Sequence, residues 1–257
     1  MAHRLLQLAY QPKVECASGA LGGFETLVRW MHPSRGLIMP DRFVPLTEAH
    51  GLIDVTTDWV LDKALKWFCH CLPVTAAIPP GKSPSGVAAN ILLSINVSAR
   101  SLKDLQFVDQ VTACCEKHGI KPERVIFELT ETSAMGNPVT SLTLLTRLRM
   151  KGFYLSINDF GTGYSSMLQL VRMPFSEIKV DKSFVMTAMQ SQESRTVVNS
   201  IIELGHSLGL RVTAEGVEDA VTLDYLKSAG CDLAQGYFIA PPMDGDEVAR
   251  WMAGRWK

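Results

Sequence analysis

Residues 154–166 read YLSINDFGTGYSS. Tyr154, Leu155, Ser156 and Ile157 alternate as a strand does, successive side chains falling on opposite faces. The run then stops on an amide beside a carboxylate, Asn158-Asp159, and spills into Gly161-Thr162-Gly163. A strand that hands polar side chains to a glycine loop at its carboxyl end is how a parallel α/β sheet builds a site. The question for the rest of the chain is whether other strands finish in the same way.

Working outward, short β-rich runs alternate with amphipathic segments. Strands are predicted at 5–10, 22–29, 92–97, 125–129, 154–157, 177–180, 211–214 and 233–238, and helices at 43–50, 56–71, 105–118, 138–151, 194–208, 220–229 and 244–252. Gly119, Gly152, Gly209 and Gly230 each follow a predicted helix, where a left-handed C-terminal cap favours glycine. Roughly eight strands alternating with helices suit a single α/β barrel of the (β/α)8, TIM-like kind filling residues 1–257 as one domain. A doubly wound open sheet is the runner-up, disfavoured because no glycine-rich phosphate loop follows the first strand. The segment PVTAAIPPGKSPSGVAAN, residues 73–90, reads as a long flexible loop.

Composition narrows the function. A hydrophobic content of 47% with 20% charged residues is that of a protein with a substantial core. The net charge of −1 does not favour a DNA or RNA duplex as partner, whereas a small phosphorylated ligand needs only a few local cations. No apolar run reaches membrane-spanning length. The opening MAHRLLQLAYQP is too short and interrupted for a signal peptide and reads as the start of an excised domain. The six cysteines show no disulfide spacing; Cys69-His70-Cys71 lacks a second ligand pair for zinc, so reduced thiols in a cytoplasmic protein are expected.

The predicted strand ends carry Glu25, Asn96, Glu128, Asn158, Asp159, Lys179, Asp181, Glu215 and Gln235. Taken singly, each is more simply a salt bridge or a helix cap. As a set on one barrel rim, buried carboxylates and amides with few matching cations describe an oxygen-ligand centre for a hard divalent ion such as Mg²⁺. Two chemistries fit: metal-assisted hydrolysis of a phosphate ester, or proton abstraction beside a carboxylate with Lys179 as base.

The motifs separate the two. YQP (10–12), ETLVRWMHP (25–33), MPDRFVPLTE (39–48), INVSARSL (95–102), FELTET (127–132), NDFGTGYSSM (158–167), EIKVDKSFV (177–185), AEGVE (214–218) and CDLAQGYF (231–238) occur in order. Together they resemble the EAL-domain family of bacterial cyclic-di-GMP phosphodiesterases, over about residues 6–243. The resemblance implies a TIM-like barrel whose first strand is antiparallel, a homodimer, and two Mg²⁺ or Mn²⁺ ions that support hydrolysis of cyclic di-GMP to linear pGpG. It implies Glu25, Asn96, Glu128, Asn158 and Asp159 as metal ligands, with Lys179 and Glu215 positioning or activating the attacking water. Gln11, Leu27 and Arg29 match substrate-contacting positions, Asp181 and Gln235 complete the polar site, and Glu131 matches the glutamate that anchors the glycine loop 160–166. For Arg29 the plainer role is a surface ion pair, for Lys179 a pair with Asp181, and for Glu131 a helix-start carboxylate.

The chain departs from the family pattern twice. Glu-Ala-Leu is here Glu25-Thr26-Leu27, and alternation turns Thr26 away from the metals. The second departure is Asn158, where the family has aspartate. An amide offers one neutral oxygen and an NH₂ that repels cations, so the second metal is expected to bind weakly. Asn158 is then a tolerated ligand in a slow enzyme, the mark of a receptor that binds without cutting, or a change introduced to trap intact substrate. Calcium fits similar oxygen donors with different geometry and is expected to occupy the site unproductively. A purely structural module would bind neither metal nor nucleotide, and an enolising enzyme would have no use for Gln11 and Arg29.

Overall fold

The structure is a computed structural model that describes residues 5–76, 91–98, 100–101, 104, 106–135, 138–161 and 167–255. Nine strands form one sheet: β1 (Leu6–Glu15), β2 (Leu21–His32), β3 (Gly36–Ile38), β4 (Leu92–Asn96), β5 (Val125–Thr130), β6 (Tyr154–Phe160), β7 (Glu177–Val180), β8 (Arg211–Ala214) and β9 (Leu233–Ala234). Pairing of β1 with both β2 and β9 closes eight of them into a barrel, and β3 hangs on the outer edge of β2. β1 runs antiparallel to both neighbours while β2 and β4 to β9 pair in parallel, as the resemblance implied.

Around the barrel lie α1 (Pro40–Ala49), α2 (Ile53–Ala76), α3 (Gln106–His118), α4 (Glu131–Met135), α5 (Pro138–Met150), α6 (Met167–Arg172), α7 (Lys182–Thr187), α8 (Gln192–Ser207), α9 (Ala220–Ser228) and α10 (Gly245–Arg255). Outward strand residues such as Leu93, Phe127, Leu155, Ile178 and Val212 are buried against this helical ring. Trp67 of α2 shows how a helix is seated: it stacks on Tyr10 of β1 with centroids 3.6 Å apart and meets Phe24 of β2 edge-on at 5.4 Å. Thr26 shares the alternating face of Phe24 rather than that of Glu25.

Three expectations need correction. The first strand extends to Glu15 rather than ending near residue 10. Pro12 is tolerated because even-numbered residues of β1 point their amides away from β2, as the Tyr10–Met243 bonds show, and β9 pairs only with Val14 and Glu15. The last strand is only Leu233–Ala234, so Gln235–Phe238 form a rim loop. Residues 73–76 belong to α2, not to a loop; residues 77–90 lie outside the described residues. Gly119, Gly152, Gly209 and Gly230 all have positive φ, as their cap positions require.

Candidate phosphodiester site at the barrel mouth

Ladder register assembles the site. In parallel pairs, residues directly opposite share a face. Gln11, Glu25 and Ser94 stand in one such row, Asn96, Glu128, Ser156 and Glu177 in another, and Lys179 opposes Thr213. All point into the barrel, and Ser94, Glu128, Ser156, Glu177, Lys179 and Thr213 are essentially inaccessible. The usual apolar barrel interior is replaced by a charged column.

Two lysines hold that column together. Lys179 Nζ lies 2.7 Å from Glu128 Oε2, 3.3 Å from Glu25 Oε2 and 2.5 Å from Glu215 Oε1. Burial lowers its pKa, but Glu128, Glu215 and Glu25 outweigh that and raise it well above the ordinary lysine value. Lys179 is therefore a fixed cation here, and its partners do not include Asp181, which instead caps α7 by accepting from Ser183 N at 2.9 Å. One layer below, Lys13 Nζ donates to Glu128 Oε1 and Ser94 Oγ, both at 2.7 Å, and sits 3.4 Å from Glu177 Oε1. Burial would raise the Glu128 pKa; Lys13 and Lys179 reverse this and hold it well below the usual carboxylate range.

The charges do not balance. Two ammonium groups face four carboxylates, Glu25, Glu128, Glu177 and Glu215. Burial, with Glu25 adding to it, pushes the Glu215 carboxyl up to about 7 against the pull of Lys179. Burial and Asp181 likewise raise Asp159. A site in which carboxylates resist ionisation has room for added positive charge.

Asn158 and Asp159 reach the mouth through a bulge. Register slips between Ile157 and Phe160, and Asp159 takes φ 56, the one positive value at a non-glycine among the described residues. The bulge breaks alternation, so two consecutive side chains line the same cleft. The Asn158 amide is pinned: Nδ2 donates to Glu128 Oε2 at 3.2 Å and to Asn96 Oδ1 at 3.3 Å. Flipping the amide would set oxygen against two acceptors. Its Oδ1 is buried and accepts no hydrogen bond among the described residues, an oxygen suited to a cation. Asn96 Nδ2 in turn donates to Glu25 Oε1 at 2.8 Å.

These groups open on a cleft of about 950 Å³, lined by Gln11, Glu25, Leu27, Arg29, Asn96, Glu128, Asn158, Asp159, Glu215 and Gln235. Lys179 lies beneath its floor. Gln235 donates to Glu25 Oε2 at 2.6 Å and to Gln11 Oε1 at 3.0 Å, while Gln11 donates to the Ala240 carbonyl at 3.1 Å. Arg29 is half-buried, donates to the Val28 carbonyl at 3.0 Å and enters no ion pair among the described residues. Burial lowers its pKa, but the group remains a guanidinium cation. Of the residues expected at the site, Lys179 and Asp181 are off the cleft wall; Glu131, expected to anchor the glycine loop, is buried at the start of α4. Residues 162–166 of the glycine loop lie outside the described residues. Sequence reading missed Lys13, Ser94, Ser156 and Glu177; carrying the alternation of β1 past Pro12 would have turned Lys13 inward beside Gln11.

A closed barrel thus carries an acidic, amide-rich mouth over a buried lysine. The chain belongs to the EAL domain family, whose model matches residues 1–242. It is 37% identical over 248 residues to the bifunctional diguanylate cyclase/cyclic di-GMP phosphodiesterase MucR of Pseudomonas aeruginosa, covering 96% of this chain and 34% of that protein. It is 40% identical over 238 residues to the cyclic di-GMP phosphodiesterase NbdA of the same organism, covering 93% of this chain and 29% of that protein. The chain thus spans about a third of the length of these curated relatives. Among solved structures, a MucR phosphodiesterase in complex with c-di-GMP superposes with a TM-score of 0.86 at 37% identity, covering 96% of this chain and 95% of that one. The EAL enzyme Bd1971 bound to cAMP and cyclic di-GMP gives 0.90 at 31% identity, over 96% and 65% of the two chains.

Proposed function

We propose that this chain is one EAL-type domain that binds cyclic di-GMP in the barrel-mouth cleft and opens it by metal-dependent hydrolysis to linear pGpG, at a rate reduced by Asn158. The observation that carries the metal part is the buried Asn158 Oδ1, without a donor among the described residues and set among Glu25, Asn96, Glu128 and Asp159. Oxygen donors of this kind suit Mg²⁺ or Mn²⁺. When bound, such ions supply charge neutralisation at the phosphoryl oxygens and help acidify the attacking water.

The chain's own residues do the rest. Arg29, charged and in no ion pair among the described residues, presents its planar donors to a substrate phosphate. Gln11 and Gln235, cross-linked to each other and to Glu25, hold the rim in one arrangement. Lys179 fixes Glu25, Glu128 and Glu215 about one cation. Glu215, held by Lys179 at the floor of the cleft, is the carboxylate placed to orient the attacking water.

A receptor that binds without cutting is the second reading, favoured by the Asn158 amide. Its two donated hydrogen bonds satisfy Glu128 and Asn96 where an aspartate would need a cation. A homodimer is part of the proposal, supported by exposed Leu168 and Val171 on α6, just beyond the glycine loop. A cytoplasmic setting is supported by six free cysteines. Among the described residues no helix is long and apolar enough to cross a membrane.

Calorimetric titration tests the ligand class. Cyclic di-GMP should bind in the presence of Ca²⁺, which supports binding without turnover, and Arg29→Ala should weaken it at least about tenfold, an ordinary cost for losing a charge-assisted phosphate contact. Absence of binding by the folded, unmodified chain would sink the proposal.

A further inference from the structure

A second set of metal donors lies away from the barrel mouth, between α2 and α3 on the outer helical ring. Cys114 and His118 stand one turn apart on α3, the spacing that puts two side chains on one helical face. Asp62 faces them from α2. A carboxylate oxygen of Asp62, the sulfur of Cys114 and a ring nitrogen of His118 all lie within 4.8 Å of one another, and each residue is half-buried. Among the described residues no other three His, Cys, Asp or Glu side chains gather their donor atoms so closely. None of the three lines the cleft.

We propose that Asp62, Cys114 and His118 form a binding site for a thiophilic divalent cation of the Zn²⁺ class, clasping α2 to α3. Thiolate, imidazole and carboxylate together are the donors zinc prefers, whereas the all-oxygen mouth suits Mg²⁺. Three protein donors leave the fourth tetrahedral place to water.

The metal-free arrangement already answers a demand for positive charge. Asp62 Oδ1 accepts from Lys117 Nζ at 2.6 Å and lies 3.0 Å from His118 Nε2. These two bonds hold the Asp62 carboxyl at about 2, so it is fully anionic at neutral pH. Lys117 is mostly solvent-exposed along its side chain, 64%, and swings into water without leaving a cavity. Its ammonium competes with a metal for Asp62 Oδ1. Burial, then Asp62, raise the Cys114 thiol pKa. Ligation therefore releases the thiol proton to solvent, and the cation replaces it on sulfur. The Cys69-His70-Cys71 run flagged in the sequence does not join this cluster; His70 Nδ1 lies 2.7 Å from the Lys66 carbonyl one turn back on α2.

The test is a Co²⁺ titration of the chelator-treated full chain in saturating Mg²⁺, which keeps the oxygen-rich mouth occupied. The readout is the near-ultraviolet charge-transfer absorption of a cobalt–thiolate bond. The site predicts a band that saturates at a single equivalent, is erased by equimolar Zn²⁺ and is absent in Cys114→Ser. His118→Ala should weaken binding at least about tenfold, since even outer-sphere partners of metal ligands are worth that much. Lys117→Ala, which removes the nearer of the two ammonium groups on Asp62 (Lys63 Nζ lies 3.7 Å from Oδ2) and no donor, should bind at least as tightly as the unmodified chain. No band in the folded chain, or a band of equal strength in Cys114→Ser, overturns the proposal. Should Cys114→Ser lose its fold, an unchanged cobalt midpoint in Asp62→Asn overturns it from the other helix.

Discussion

Asn158 and Lys13 bear most directly on what the mouth does. Asn158 spends both amide hydrogens on Glu128 and Asn96. An aspartate there would set an anionic oxygen against two acceptors, one of them a fully buried carboxylate. Asn158→Asp should therefore melt lower than the unmodified chain without metal, by several degrees at roughly 2–4 °C per kcal/mol for a chain of this size. Mn²⁺ should restore most of that loss and raise the unmodified chain by less. Thermal melts with and without Mn²⁺ check this, and equal metal shifts in the two proteins would show that position 158 does not govern the metal. Lys13 is the sole ammonium facing Glu177 and a second one on Glu128 among the described ion pairs. Lys13→Met strands buried charge and should cost about 3–5 kcal/mol in urea unfolding. Adding Glu177→Gln should recover part of it, and a Lys13→Met protein of undiminished stability would contradict the charged-column description.

At the scale of elements, the rim is set by how closely backbones approach. A Cβ on Gly236 would stand 2.1 Å from the Val217 carbonyl oxygen and 2.3 Å from its nitrogen, both unyielding backbone atoms. Gly236→Ala should cost at least about 1–3 kcal/mol by overpacking. It should also displace Gln235, whose bonds to Gln11 and Glu25 it shares the loop with, lowering nucleotide affinity; stability and affinity measured on the same variant check both. Elements with a strong local period were legible in the sequence: β7 and β8 have their predicted bounds, and four helix-ending glycines have the φ a cap needs. Where reading failed, a competing principle was at work. The predicted first strand stops at residue 10, but Pro12 does not end it, since the ladder donor a proline lacks would face the unpaired side of β1. With β1 cut short, Lys13 stayed invisible, since a lone lysine in a strand reads as solvated until its face is known. The bulge that brings Asn158 and Asp159 to one side is likewise a tertiary matter of two residues opposing one.

Over the whole molecule, closure of the barrel turns separate strand ends into one site. Glu25, Asn96, Glu128, Asn158, Lys179 and Gln235 come from six different strands or their ends and meet through hydrogen bonds shorter than 3.5 Å. Of the two departures read in the sequence, Thr26 and Asn158, only Asn158 donates hydrogen bonds to Glu128 and Asn96, so its consequence is separable from the fold. The measurement that tests this most directly is turnover of cyclic di-GMP by the full chain and by Asn158→Asp, in Mg²⁺ and in Mn²⁺, with products resolved by chromatography. The account predicts pGpG from both, at least about tenfold faster from the aspartate protein, a difference of about 1.4 kcal/mol or more in the barrier. Equal rates from the two, or no pGpG from a folded Asn158→Asp protein that binds the nucleotide, would contradict it.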